Sequence, residues 1–531
     1  MRRLRDETDG RRVWIDAVCI NQDDIDERNR QVSIMGSIYK SARRVYIYVG
    51  EEDLHGRLAM SYLQAIEKRE IQFDTPTTQQ ELVALEDFLA RPWFTRIWVL
   101  QEVYQAKEPI LICGDLRVSW AAIQTLRAFE SLREARLSQL PYVTTVKDRK
   151  FISSNLLHKL LAEARTCHAT DPRDKLYALL PLLLDAKNYG LAADYSVSRA
   201  RCFYDVVIYL ARTLDLRFLS DVSSEQRFIH MGNMPTWVPD WASRLYRTPL
   251  NTMTNSLNWK AGTIDDHTRE QWRLACQQVE WWANDLRIDD DIKDLPSIPH
   301  LVVPGILVDE IDTILPPANL REKSWKEILC EWDKEAQNME LKLIRFNARS
   351  APLEDINPEK DVTYLVSSAP RRPILQALLV ELAHPRLSNT YNLVDSLREF
   401  EYSDRSLFSF DINRADPSSG DRPNWNENNK WVYNVKKVIH GRRFFRTKCG
   451  YFGVASEEAE VGDIVTILAN GPVPYVLRKT TCLHGSDKPA SVWSFIGDCY
   501  LAGAMTGWFT RAVLERKIPD TPDVIEDFHI C

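Results

Sequence analysis

The fold class this sequence predicts is α/β: a parallel sheet, then a helical extension, then a small β-barrel or sandwich at the carboxyl end. Three observations predict it. Short β-branched runs alternate with helix-period segments over the first 113 residues. From about 120 to 215 apolar residues recur at helical spacing. Over the last hundred residues the pattern switches to short, turn-punctuated strands.

The elements follow in order. Val13-Trp14-Ile15-Asp16 reads as strand one, with Asp16, Cys19, Asn21 and Gln22 at or just past its carboxyl end, the edge where open parallel sheets place ligands. Asp24-Ile25-Asp26-Glu27 has the form of a capping box, so a helix should begin near Ile25, buried through Val32, Met35, Tyr39 and Ala42. Val45 to Val49 is strand two, stopped by Gly50, and should run parallel to strand one through a right-handed crossover. Gln80 to Ala90 is a helix. After Pro92 a further helix puts Trp93, Ile97, Leu100 and Tyr104 on one face and Trp98 with Glu102 on another. Ile110 to Cys113 is a third strand, ended by Gly114. Asp171-Pro172-Arg173-Asp174 is a turn that caps a helix. Pro235 to Trp241 is a stiffened loop with two Trp anchors, and Pro417 to Pro423 a surface loop. Between 250 and 435 scattered helices are all that can be read. Beyond it, Arg443–Thr447, Tyr451–Val454, Asp463–Leu468, Tyr475–Arg478, Val492–Ile496 and Tyr500–Ala502 are strands. The expected domains are therefore 1–120, 121–245, 246–435 and 436–531.

At 531 residues the chain exceeds a single core, which fits that division. Sixteen Trp argue for large buried anchors and against disorder. A net charge of -7 with both signs interspersed argues against nucleic acid, which usually needs a basic face, as a partner. The ten Cys contain no CxxC pair, which removes the usual zinc arrangement and suits reduced thiols. No signal sequence follows Met1, and the longest apolar run, Leu176 to Leu184, falls well short of the roughly 20 residues a bilayer helix needs. A cytoplasmic protein with no membrane and no metal is expected. Its partner is expected to be another protein or a copy of itself. GxxxxGK[ST], HExxH and GxSxG are absent, so P-loop, zincin and α/β-hydrolase chemistry have no support.

Several segments together resemble fungal heterokaryon incompatibility (HET) domain proteins. They are VWIDAVCINQDDIDERNRQVSIMGSIYKSARRVYIYVG, RPWFTRIWVLQEV, CG, DPRDKLYALL and PTWVPDW. The carboxyl-end segments GRRFFRTKCGYFGVASEEAEVGDIVTIL, PYVLR and GDCYLAGAMTGW resemble a terminal module common in that family. The resemblance says little about 250–435. Such domains usually open with a strand of the type Y-x-A-L-S-Y-x-W-G. Nothing of that form precedes Arg11, so a domain lacking its first strand, with an impaired output, is expected. The family resembles TIR domains remotely, which implies a TIR-like, flavodoxin-like sheet.

Trp98-Val99-Leu100-Gln101-Glu102 resembles the W-C-L-x-E-L segment of plant-type TIR domains, where the Glu is catalytic and NAD is cleaved. By that resemblance Glu102 would stabilise cationic character on a ribose as nicotinamide leaves. NAD would be a substrate, and no cofactor is implied. Asp16, Asn21 and Gln22 would hydrogen-bond ribose or amide groups, Arg91 and Arg96 would face phosphates, and Trp98 would touch the ligand. Each residue also has a plainer reading. Glu102 reads as an ion-pair partner of Arg96 or Arg91. Asp16 reads as a loop cap. Cys19 reads as a small buried thiol and not a nucleophile. Trp14, Trp93 and Trp98 read as core, and Asp171 with Arg173 as a turn and ion pair stitching the helical layer to the α/β layer. The resemblance implies non-self recognition ending in programmed cell death. The alternative is a non-enzymatic protein–protein interaction module in allorecognition or innate-immunity signalling.

Overall fold

The structure is a computed structural model. It describes residues 12–72, 75–126, 153–183, 190–222, 235–245, 247–253, 261–262, 301–336, 339, 430–480, 492–505, 509–510, 513 and 525–531. The Pro417–Pro423 loop and most of 250–435 lie outside the described residues. The chain divides into two compact units, residues 1–210 with 241–244, and residues 211–240 with 245–531.

In the first unit, β1 (Val45–Tyr48) and β2 (Pro109–Cys113) are parallel, with Val45 opposite Pro109 and Tyr48 opposite Ile112. β2 turns straight back into β3 (Leu116–Ser119), which is antiparallel to it. Ile47, Leu111 and Cys113 are buried. Both strand ends are glycines with positive φ, Gly50 at 113° and Gly114 at 57°, and the Gly114 N–H donates to the Gly50 carbonyl at 3.0 Å.

The expected first strand is corrected. Ile15 is extended, but Asp16–Cys19 is a single helical turn, α1. The apolar run is too short to hold a ladder: Val13 is exposed, and the Asp16 carboxylate accepts the Ala17 N–H at 2.8 Å and starts the turn. The parallel pairing of Val13–Asp16 with Val45–Val49 therefore has no counterpart among the described residues. Among the described residues of this unit the one parallel strand pair is β1 with β2, and β3 makes the sheet mixed.

Helix α2 (Ile25–Ser41) starts where the Asp24 cap places it. The Asp24 side chain accepts the Glu27 N–H at 3.0 Å, and Val32 and Met35 are buried. Glu27 does not complete the box; it accepts the Asn21 N–H at 3.2 Å and so ties the preceding loop to the helix. Helix α3 (Leu54–Glu67) was not read from the sequence, although Asp53 caps it and Ala59, Met60, Leu63 and Ile66 form a buried stripe. Helix α4 (Gln79–Leu89) has a full capping box between Thr78 and Glu81.

The single helix expected after Pro92 is two pieces, α5 (Pro92–Thr95) and α6 (Val99–Gln105). The chain of His168 causes the break. Its carbonyl accepts the Ile97 N–H at 3.0 Å, its N–H donates to Thr95, and Arg96 takes extended angles between them. Beyond β3 the described elements of this unit are helices. The C-terminal carbonyls of the helix Ser154–Ala164 are satisfied by the buried Lys175 ammonium, which donates to Ala164 at 2.6 Å and also to Cys167. Trp241 is fully buried, edge-on to Phe203 with ring centroids 5.7 Å apart.

The second unit contains a closed barrel. Its ring runs β4 (Leu301–Ile314), β11 (Ile525–Ile530), β9 (Val492–Asp498), β8 (Tyr475–Thr480), β7 (Ile464–Leu468) and back to β4. β5 (Arg442–Thr447), β6 (Phe452–Ser456) and β10 (Tyr500–Leu501) extend from the far end of β4. β4 was expected to be helical or irregular. Its 14 residues serve three neighbours in turn, shifting register near Leu307 and Ile311. That, with Pro304 and Gly305 inside it, removes the simple alternation by which a strand is read. Trp237 is buried in this unit, as its Pro-flanked motif suggested.

At the heart of this unit Asp498 and Arg442 are fully buried. The Asp498 carboxylate accepts Arg442 Nη1 at 2.7 Å, Arg247 Nη1, and the Leu250 N–H at 2.7 Å. Removing 525–531 takes β11 from between β4 and β9 and exposes two strand edges. The truncated protein is expected to lose its cooperative thermal transition and to scatter light. A cooperative transition unchanged from the full chain would contradict the closed ring.

Candidate functional site

The rim of the first unit gathers side chains from four elements. Asp16 opens α1, Tyr39 lies in the last turns of α2, Trp93 lies in α5, and Glu102 lies in α6. Arg96 projects from the break between the last two. Arg96 Nη2 lies 3.8 Å from Asp16 Oδ2. The Trp93 indole donates to Glu102 Oε2 at 3.3 Å. Trp14 meets Tyr39 edge-on at 5.6 Å between ring centroids.

These groups sense one another. Burial pushes the Glu102 carboxyl up to about 7; the Asp16 charge adds to this, while Arg96 and the Trp93 hydrogen bond oppose it. Tyr39 is raised too, first by burial, then by Glu102 and Asp16, with Arg96 again opposing. A carboxyl that is half-protonated near neutrality, beside a carboxylate and a guanidinium, can exchange protons at physiological pH and can stabilise developing positive charge.

The other sequence-derived candidates fall elsewhere. Cys19 is exposed, not buried, which corrects that expectation. Asn21 and Gln22 are exposed in the loop ahead of α2, and Asn21 Oδ1 accepts the Asp23 N–H at 3.2 Å, a local turn. Arg91 does not open to phosphates. Nη1 donates to the carbonyls of Val49 (3.2 Å) and Glu51 (3.1 Å) and to Cys113 Sγ (3.2 Å), and Nη2 pairs with Asp53 at 2.9 Å. It clasps the carboxyl ends of β1 and β2 to the start of α3. Trp98 points its indole N–H at Asp174 Oδ2, 3.1 Å away. Glu102 takes its hydrogen bond from Trp93 and not from either arginine. Tyr39 and Trp93 were read as core, because an aromatic at helical spacing gives no sign of which polar group its edge will meet. Asp171 and Arg173 pair at 2.7 Å as the turn suggested.

Residues 1–102 match the family model "Heterokaryon incompatibility protein (HET)", and residues 425–517 match the "Het-6 beta-barrel domain". Two separate stretches of the chain are thus similar to heterokaryon incompatibility proteins. The chain is similar to heterokaryon incompatibility protein 6, OR allele, of Neurospora crassa, with 26% identity over 322 residues covering 46% of each protein. The chain thus spans about half the length of the curated relative it matches. No solved structure matches it. Asp16, Tyr39, Trp93, Arg96 and Glu102 all fall inside the HET match. The barrel match holds β5 to β10, while β4 and β11, which close the ring, lie outside it. Among the described residues no helix is long and apolar enough to cross a membrane, and no cluster of His, Cys, Asp and Glu suits a metal ion.

Proposed function

We propose that this protein acts in heterokaryon incompatibility, recognising non-self and promoting programmed cell death, and that its HET domain delivers the output by hydrolysing NAD at the Asp16–Arg96–Glu102 rim. The observation that carries the reading is the Glu102 carboxyl, raised to about 7 by burial and by Asp16. The resemblance of its WVLQE segment to the catalytic segment of TIR domains supports the same assignment.

In that reaction the bond between the ribose anomeric carbon and the nicotinamide nitrogen breaks, and its electron pair stays on nicotinamide. A water oxygen bonds to the anomeric carbon. Ionised Glu102 stabilises the cationic ribose and accepts the proton that water loses. Arg96 keeps Glu102 partly ionised near pH 7, and the Trp93 indole fixes its Oε2. The products are ADP-ribose, nicotinamide and a proton. The test is nicotinamide release from NAD by the purified chain over a range of protein concentrations. Turnover supports the reading. Folded protein that releases none at any concentration removes the enzymatic part.

A second reading, a non-enzymatic interaction module, is favoured by the exposed Val13, Val18 and Ile25 next to the rim, Val18 at 69%. It predicts cell death on expression that Glu102→Gln leaves intact.

A further inference from the structure

The Asp171–Asp174 turn lies half-buried beside the rim yet contributes no group to it. Asp174 is 8% exposed and holds two donors, the Tyr195 hydroxyl on Oδ1 at 2.6 Å and the Trp98 indole on Oδ2 at 3.1 Å. Trp98 is the residue before α6, and its carbonyl accepts the backbone N–H of Glu102 at 3.2 Å. One end of Trp98 is therefore fixed on Asp174 and the other on the Glu102 backbone.

The same turn reaches the other side of the rim. Asp171 pairs with Arg173 and, at 3.5 Å, with Arg28 of α2. The Arg28 guanidinium lies 3.5 Å from the Tyr195 ring centroid. Asn29, next along α2, accepts the Tyr195 N–H at 2.9 Å, and Arg173 donates to the Tyr195 carbonyl at 2.8 Å. On α2, Glu27 holds the Asn21 N–H, and so the loop that follows Asp16. Four ionic groups, two aromatic rings and one amide thus join the two supports of the rim, with charge-assisted hydrogen bonds at most of the joints.

We propose that this turn is the positioning device of the site: Asp174, acting through Trp98, sets where Glu102 stands relative to Asp16, and Asp171, through Arg28, holds the helix that anchors the Asp16 loop. The inference rests on the reading that Asp16 and Glu102 form the functional site. Asp174 and Trp98 are positioning residues, since neither belongs to the group that would meet substrate.

The test reads Glu102 directly and needs no turnover. Carboxyl-labelled glutamate is followed by NMR across pH, the Glu102 signal being the one missing in Glu102→Gln. Trp98→Phe keeps a ring and removes the indole donor; Asp174→Asn keeps the shape and loses the charge. Both are expected to move the Glu102 midpoint from about 7 toward the ordinary carboxyl range by about one unit or more, as α6 shifts away from Asp16 and out of its buried position. Leu160→Ala, a cavity in the neighbouring helix, is expected to lower Tm without moving that midpoint. If Asp174→Asn fails to fold, Trp98→Phe decides. Folded variants whose Glu102 titrates as in the wild type overturn the proposal, as does an equal shift in Leu160→Ala. Nicotinamide release is measured alongside: a shifted midpoint without turnover in any protein sinks the NAD reading and leaves the positioning role standing.

Discussion

Glu102→Gln is expected to lower nicotinamide release by about 10²- to 10⁴-fold, the range for loss of a positioned proton-transfer group. The wild-type rate should rise with pH through a midpoint set by the Glu102 pKa of about 7, and that limb should vanish in the variant. Unchanged circular dichroism shows the loss to be chemical. Stability should move the other way. The folded pKa of Glu102 is raised above its free value of 4.5, so burial favours the neutral form. Its contribution is fully present below the free value and is lost as pH rises through about 7. Glutamine has no charge to lose. The variant should therefore gain on the wild type between pH 4.5 and about 7 and keep a constant advantage above that range, as read from Tm across pH. A Tm difference independent of pH would mean that Glu102 is as well solvated folded as unfolded.

Asp498→Asn is expected to destabilise the second unit by about 3–5 kcal/mol, because it leaves buried guanidiniums without their countercharge. Burial alone would raise the Asp498 pKa, but Arg247 and then Arg442 outweigh it and hold the carboxyl below the usual range. That stabilisation is present above the free aspartate value and is lost as pH falls through the lower folded one. Asparagine keeps one of the two acceptor oxygens, puts an NH2 donor where the other stood, and carries none of the charge. Asp312→Asn provides the contrast. Asp312 pairs with Arg446 at 2.6 Å, with both side chains 25% exposed, and should cost about 1 kcal/mol or less. Denaturant titration of the two variants checks the comparison. A cost for Asp498→Asn as small as that for Asp312→Asn would show that the barrel does not depend on its central charges.

Where local chemistry decides structure, the sequence was readable. Asp24 with Val32 and Met35 marked α2, Gly50 and Gly114 marked strand ends, and the Phe- and Val-rich runs after 440 marked the barrel. Where a distant partner decides, it was not. The Val13–Ile15 run is a local exception: it has the composition of a strand, but the adjacent Asp16 captures the next N–H and starts a helical turn. The helix after Pro92 has unbroken helical spacing, yet the His168 chain takes the hydrogen bonds of Thr95 and Ile97 and splits it. β4 serves three neighbours and so keeps no single alternation. The rim was half legible. The WVLQE resemblance pointed to Glu102, and the polar residues after Ile15 pointed to Asp16. Arg91 was misjudged because a half-buried arginine feeding the carbonyls of the loop after β1 looks, in sequence, like one waiting for an anion. Tyr39 and Trp93 had no sequence signal apart from their apolar bulk.

The central claim is that Asp16, Arg96 and Glu102 share one rim. The most direct measurement is the NMR titration of Glu102 in Asp16→Asn and in Arg96→Gln. Because the Asp16 charge raises the Glu102 pKa and the Arg96 charge lowers it, the midpoint should fall below about 7 in the first variant and rise above it in the second. A Glu102 that titrates at the same pH in the wild type and in both variants would place these three side chains out of each other's reach, and the proposed site would not exist.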